Sequence, residues 1–169
     1  MDKVVTTIDA AGGILVGHDG SKASAKSVKW AASLASRLGC PLHVVRSWAL
    51  SSAPRPSTWA AGYVPPLTDF ENAVLESLRK DVAELQLPTT DVTCHVLHGP
   101  AARRLVESSA GAQLLVVGSR GRGGFIGVVL GSTATQVVGH AHCPVVVVPV
   151  DGDDSPADLD SGLSGHDPH

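Results

Sequence analysis

Aromatic side chains are scarce in this chain. Phe, Trp and Tyr together make up 4% of its 169 residues, and there is one Met. The 43% hydrophobic content therefore comes mainly from Val, Leu, Ile and Ala, the residues of buried strands and of the helices that cover them. A strong charge of either sign is also missing: the net charge is −3 and the pI about 6.2. That balance speaks against a general binder of nucleic acid or of anionic membranes. No apolar run approaches the roughly 20 residues of a membrane span. The opening MDKVVTTIDAAGG lacks the apolar stretch of a secretory leader. Cysteine is limited to Cys40, Cys94 and Cys143, an odd number at wide spacing. Reduced thiols in a cytoplasmic protein are expected, not a disulfide framework.

Charge is unevenly spread. Six Asp and no Lys or Arg fall within 151–169, so the net charge becomes +3 without that segment. Conversely, no Asp or Glu occurs from Ser108 to Val150. Three parts are expected: a loose arm over 1–12, one domain over 13–150, and an acidic, disordered tail over 151–169.

Short apolar runs alternate with amphipathic stretches along 13–150. GILVGHDG (13–20) reads as a buried strand ending in a turn. The stretch that follows carries Val28, Ala31, Ala35 and Leu38 at helical spacing and is closed by Gly39, a good C-terminal cap. PLHVVRSW (41–48) is a second strand. Residues 49–67, with Pro54, Pro56, Pro65 and Pro66, form a long loop bearing Trp59 and Tyr63. Thr68 stands three residues before Glu71, a capping-box pattern opening a helix with Phe70, Val74, Leu78, Val82 and Leu85 on one face. DVTCHVLH (91–98), QLLVVGS (113–119) and PVVVVPV (144–150) are the remaining strands. Helices after Pro100 and from Ser132 to about Gly139 separate them. The β–α alternation predicts an α/β domain with one parallel five-stranded sheet and helices on both faces. Ligands bind such sheets at the carboxyl ends of the strands.

The segment GSRGRGGFIGVVLGS (118–132) sits at such an end, after the fourth strand. It holds six glycines and two arginines. Glycines permit positive φ and close approach of backbone N–H groups to an anion, here at Gly118, Gly121, Gly123 and Gly124. Arg120 and Arg122 add charge, and the helix beginning at Ser132 offers its N-terminal N–H donors. The pattern predicts a phosphate cradle, the alternative being a loop whose glycines serve only turns and tight packing. It is not a Walker loop, because no Gly-Lys-Ser/Thr is present, and the third glycine of the dinucleotide fingerprint is missing.

Other candidates are weaker. His140, His142 and Cys143 lie in a turn without zinc spacing, so no metal site is expected from them. His18, Asp19 and Ser21 are too close in sequence to stack as a catalytic triad. His18 either contacts phosphate or fills the turn. Trp59 and Tyr63 either cover a bound base or pack on the next helix.

Gly118, Gly121 and Gly131-Ser132 are spaced Gly-x2-Gly-x9-Gly-Ser, which resembles the nucleotide-binding signature of the universal stress protein family. ILVGHDGS and HCPVVVVP are similar to that family's first and last strands, and the likeness covers 13–150. The resemblance implies a Rossmann-like fold of the adenine nucleotide alpha hydrolase-like type with strand order 3-2-1-4-5. It implies ATP or a related adenine nucleotide such as AMP or cyclic AMP. The base would lie near Val16, Asp19 and the backbone from Val45 to Ser47, with phosphates on the glycine segment, Gly131, Ser132 and Thr133. Asp19 would accept from a ribose hydroxyl or help hold Mg²⁺. A homodimer through 144–150 and a role in stress regulation are also implied. No carboxylate in the glycine segment can orient water and no catalytic lysine follows it, so hydrolysis is expected to be slow or absent. The alternatives are a slow ATPase or autophosphorylating enzyme, a cyclic AMP receptor, and a nucleotide-free dimeric interaction module.

Overall fold

The computed structural model describes residues 3–120 and 130–150. The elements run β1 (Ile14–Gly17), α1 (Lys22–Leu38), β2 (Leu42–Trp48), α2 (Leu67–Glu84), β3 (Val92–His98), α3 (Ala101–Ser108), β4 (Leu114–Gly118), α4 (Ser132–His140) and β5 (Val145–Val148). All five strands join one parallel sheet in the order β3-β2-β1-β4-β5. This is the strand order that the resemblance implied.

Alternate side chains of each strand divide the core into two layers. Ile14, Val16, Leu42, Val44, Val96 and Val116 pack beneath α1 and α2. Leu15, Val45, Leu97, Leu115 and Val117 pack beneath α3 and α4. Few aromatics are needed, because small branched side chains on strands meet Ala31, Ala32 and Ala35 of α1, which lets the helix lie close to the sheet.

Local chemistry sets most boundaries. The Ser21 side chain accepts from the Ser24 N–H and caps α1. Gly39 ends the helix at φ +62°, in the left-handed region, with its N–H on the Ala35 carbonyl. The expected Gly39 cap is therefore present. The Thr68–Glu71 capping box is not. The N-cap of α2 is Pro66 and no side chain caps it. Glu71 instead accepts the Val5 N–H at 2.8 Å.

That contact belongs to a larger difference. Residues 3–12, expected to be loose, lie docked on the domain. The Val5 carbonyl accepts the His98 N–H at 2.8 Å, at the open edge of β3. The Ile8 N–H reaches Ser108 Oγ, and Ala10 is fully buried. Half of residues 3–12 are apolar: Val4 packs on the first core layer, and Ile8 and Ala10 anchor the arm in the second. Residues 151–169 lie outside the described residues.

Candidate functional site

The carboxyl end of β1 turns into α1 through His18, Asp19 and Gly20. The His18 N–H donates to the Val45 carbonyl at 2.8 Å and so carries the β1–β2 ladder one step beyond the strand. The His18 ring is buried, with Nδ1 2.7 Å from Ser24 Oγ. Burial, and next the Arg46 cation, lower its pKa, while Asp81 and Asp19 act in the opposite sense. The ring is therefore neutral at pH 7 and fills the turn, one of the two roles open to it from sequence. Asp19 Oδ1 accepts from the Ser21 N–H at 2.9 Å and from Ser24 Oγ at 2.8 Å. The Asp19 carboxylate is thus fixed beside the α1 N-terminus, where a negative charge is stabilised.

Arg46, a cation inside a strand, was not singled out from sequence. Its side chain is 12% exposed. Nε donates to the His18 carbonyl at 3.0 Å and Nη2 to Asp81 of α2 at 2.9 Å. A Lys/Arg-type charge inside a strand that carries no other was the available signal. One residue on, Ser47 Oγ is buried and has no hydrogen-bond partner among the described residues. A buried hydroxyl without a partner is destabilising on its own and calls for a ligand or a solvent molecule.

Ser119, also missed, ties the end of β4 together. Its N–H donates to the Val148 carbonyl at 2.9 Å, its carbonyl accepts the Gly131 N–H at 2.7 Å, and its Oγ accepts the Val150 N–H at 2.9 Å. The chain therefore leaves at Arg120 and returns at Gly131 to one point on the sheet. The start of α4 is pinned to the end of β4. The N-cap of α4 is Gly131, which brings no side chain to the first turn, and that turn contains no acid. Its leading N–H groups are not capped by a side chain, and Ser132 is exposed beside them. This is the arrangement that accepts an anion.

The expected site residues divide as follows. Asp19, Ser47, Arg120, Gly131, Ser132 and Thr133 come together along the carboxyl edge of β2, β1 and β4. Val16 does not. Its side chain is fully buried in the α1 layer, because it lies mid-strand, paired with Val44 and Val116. The Val45 side chain is core of the opposite layer, and its carbonyl is taken by His18. Gly118 is not among the glycines with positive φ. The space it leaves faces α1: a Cβ there would lie 3.3 Å from Ser27 Oγ and 3.3 Å from the Arg120 carbonyl. Ser132 does not cap α4, since it is the first helical residue. Gly121, Arg122, Gly123 and Gly124 lie outside the described residues. Trp59 packs edge-on against Phe70 at 6.1 Å, with Arg55 5.3 Å from its ring, which is the packing role. Among the described residues no group of three or more His, Cys, Asp or Glu side chains could hold a metal, and no helix is long and apolar enough to cross a membrane.

The end of β1 leads into α1 on one face of the sheet, whereas the end of β4 leads into α4 on the other. The crevice between such diverging connections is where open parallel sheets bind ligands.

Known proteins share this fold. The family model described as "Universal stress protein family" matches residues 12–149. A universal stress protein of Mycolicibacterium smegmatis is 39% identical over 155 residues, covering 86% of this chain and 50% of its own length. One from Mycobacterium tuberculosis is 35% identical over 143 residues, covering 80% and 47%. The chain thus spans about half the length of these curated relatives. Among solved structures, the universal stress protein UspA from Lactobacillus plantarum superposes with a TM-score of 0.61 at 19% identity, covering 84% of this chain and 99% of its own. A universal stress protein in complex with cAMP gives 0.57 at 24% identity, covering 83% and 98%. One from Archaeoglobus fulgidus in complex with dAMP gives 0.55 at 20%, covering 82% and 98%. At these identities the superpositions speak for the fold. The match of the family model to nearly all of the domain, with curated relatives above 30% identity, goes further: this chain belongs to the universal stress protein family.

Proposed function

We propose that this protein binds an adenine nucleotide at the carboxyl edge of β2, β1 and β4, with ATP the first candidate and AMP and cyclic AMP the others. The observation that carries the reading is the return of the chain to Ser119, which brings the uncapped start of α4 to the sheet edge beside Arg120. Phosphate would take the N–H groups at Ser132 and Thr133 and the Arg120 cation. The base would lie over the ends of β1 and β2, within reach of the buried Ser47 Oγ, which has no partner among the described residues. Asp19 stands beside a bound ribose, or beside Mg²⁺ carried in with ATP. Gly121, Arg122 and Gly123 complete the cradle in this reading. The solved relatives with cAMP and dAMP are consistent with it.

The protein would act as a stress-response regulator with slow or no hydrolysis, in the cytoplasm, where its three cysteines stay reduced. It would pair through β5, which among the described residues is an edge strand bonded only to β4. Neither nucleic acid nor membrane is a partner in this reading. The test is calorimetric titration of the intact chain with ATP and with cyclic AMP, together with mass spectrometry of whatever co-purifies. Saturable binding of ATP that cyclic AMP does not displace supports the ATP reading. Displacement by cyclic AMP makes the protein a cyclic-nucleotide receptor. Steady ADP release makes it a slow ATPase. Flat titrations and nucleotide-free protein make it an interaction module.

A further inference from the structure

The outward face of α1 is basic and apolar together. Lys26, Lys29, Trp30, Ser33, Leu34 and Arg37 line a groove of roughly 430 Å³. Lys22 extends the stripe toward the start of the helix, and the helix contains no Asp or Glu. Like charges three and four residues apart on a helix repel one another. Trp30 is 42% exposed, much for a residue whose ring is usually largely covered. Of these side chains only Leu34 also packs on the core; Val28, Ala31, Ala32 and Ala35 fill the face of α1 that meets the sheet.

The end of the described chain lies beside this helix. Val150 is held to Ser119 Oγ at 2.9 Å. A Cβ placed on Gly118 would lie 3.3 Å from Ser27 Oγ of α1 and 3.9 Å from Val150 Cγ2. The end of β4, α1 and the exit of β5 thus meet around one small residue, and Ser27 adjoins Lys26. The residues that follow Val150 carry six Asp, Leu159 and Leu163, and no Lys or Arg. Nineteen residues can extend about 60 Å, whereas α1 from Ser27 to Arg37 rises about 15 Å. A tethered segment is present at an effective concentration near millimolar, so weak contacts suffice to seat it.

We propose that the α1 groove holds the acidic segment 151–169 of its own chain. The aspartates supply the countercharge for Lys29 and Arg37, and the segment's leucines cover Trp30. The segment is then a built-in competitor for any acidic peptide that approaches this face. The proposal does not depend on the nucleotide reading, since its groove is on the outer side of α1.

The test is nitrogen-15 NMR of the intact chain at low salt, following the three Trp indole N–H signals. Trp30→Phe assigns the relevant one, and Trp48, buried in the core, reports that the fold is kept. In one variant Asp151, Asp153, Asp154, Asp158 and Asp160 are changed to Asn; in another Lys29 and Arg37 are changed to Glu. The Trp30 signal is expected to differ between the wild type and the Asn variant. The difference should vanish in 0.5 M NaCl, where the Debye length is about 4 Å. A synthetic peptide of residues 151–169, added to the Asn variant, should move the signal back, and about tenfold more peptide should be needed once Lys29 and Arg37 are reversed. Coincident Trp30 signals in the wild type and the Asn variant at low salt would overturn the proposal. So would a Trp30 shift that follows protein concentration and ignores the Asp→Asn changes, which assigns the groove to a second copy.

Discussion

Arg46 Nε donates to the main-chain carbonyl of His18 at 3.0 Å, so a side chain on β2 fixes the turn that leaves β1. The same guanidinium reaches Asp81 on α2 at 2.9 Å. One largely buried cation, which also meets Ser77 Oγ of α2 at 3.4 Å, thus couples the candidate site to the packing of that helix.

Arg46→Met should cost about 1–3 kcal/mol, because the His18 carbonyl loses its charged donor while the partly exposed Asp81 is rehydrated. Urea unfolding measures the loss. Arg46→Lys should fall between the two, since an ammonium cannot serve both acceptors in this geometry. A wild-type midpoint for Arg46→Met would show that the turn holds itself.

Acid should weaken the fold through histidine. His43 Nδ1 and His95 Nε2 are 3.0 Å apart on neighbouring strands. Burial, and then the His43 charge, lower the His95 pKa to about 4. His18 and His43 are lowered as well, chiefly by burial. A histidine with a depressed folded pKa binds its proton more readily when unfolded. Its contribution is complete above the unfolded value near 6.5 and is lost as pH falls through the folded value. The urea midpoint should therefore be flat from pH 8 to 7 and fall between pH 6.5 and 4. His95→Gln should reduce that slope; an unchanged slope would assign the acid sensitivity to other groups.

Gly13→Ala and Gly139→Ala should act in opposite directions. At Gly13 a Cβ would meet His43 Cδ2 at 2.8 Å and the Pro41 carbonyl at 2.9 Å. The backbone there is held by the Ile14 N–H on that same carbonyl. A loss of about 1–3 kcal/mol is expected from overpacking. At Gly139, inside α4, nothing lies within 4 Å of the added carbon. Helix propensity alone should then stabilise by up to about 1 kcal/mol. Thermal melts of the pair compare them directly.

Ser47→Ala should leave stability unchanged or slightly raised, because the hydroxyl has no partner among the described residues. If it meets the nucleotide, ATP affinity should fall about 3- to 10-fold, the worth of one neutral hydrogen bond. Calorimetry on the folded variant decides. Undiminished affinity would take Ser47 out of the binding site.

Val147→Pro tests the proposed pairing through β5. The Pro144 and Val148 carbonyls point toward β4, so by strand alternation the N–H of Val147 points outward. Proline removes that donor and leaves the β4 ladder intact. Sedimentation should show monomer while the circular dichroism is retained. A dimer that survives places the interface elsewhere.

The strand order and the helix layers agree with what the chain's pattern and its family resemblance implied, because strand and helix periodicities are local properties, repeated here in five strands and four helices. Candidate-site residues were legible where backbone geometry alone matters. Gly131 and Ser132 are recognisable because a glycine at the start of a helix leaves donors exposed. Val16 was misplaced because sequence does not say where along a strand the sheet ends. The roles of Glu71, Ser119 and Arg46 were hidden for a related reason. Each acts on a main-chain group 66, 12 or 28 residues away, and such partners are invisible to local pattern.

The sequence by itself determined the α/β class, the glycine-rich, acid-free stretch after the fourth strand, and the membership that this spacing suggests. These follow from residue type and short-range spacing. Tertiary structure alone decided that the N-terminal arm is docked on β3, that His18 is a buried turn-filler, and that Ser119 closes the excursion from Arg120 to Gly131. It also decided that the basic stripe of α1 stands beside the exit of β5. Those outcomes depend on which main-chain donors and acceptors remain unpaired once the sheet has formed, and only the assembled sheet brings them within hydrogen-bond reach of their distant partners.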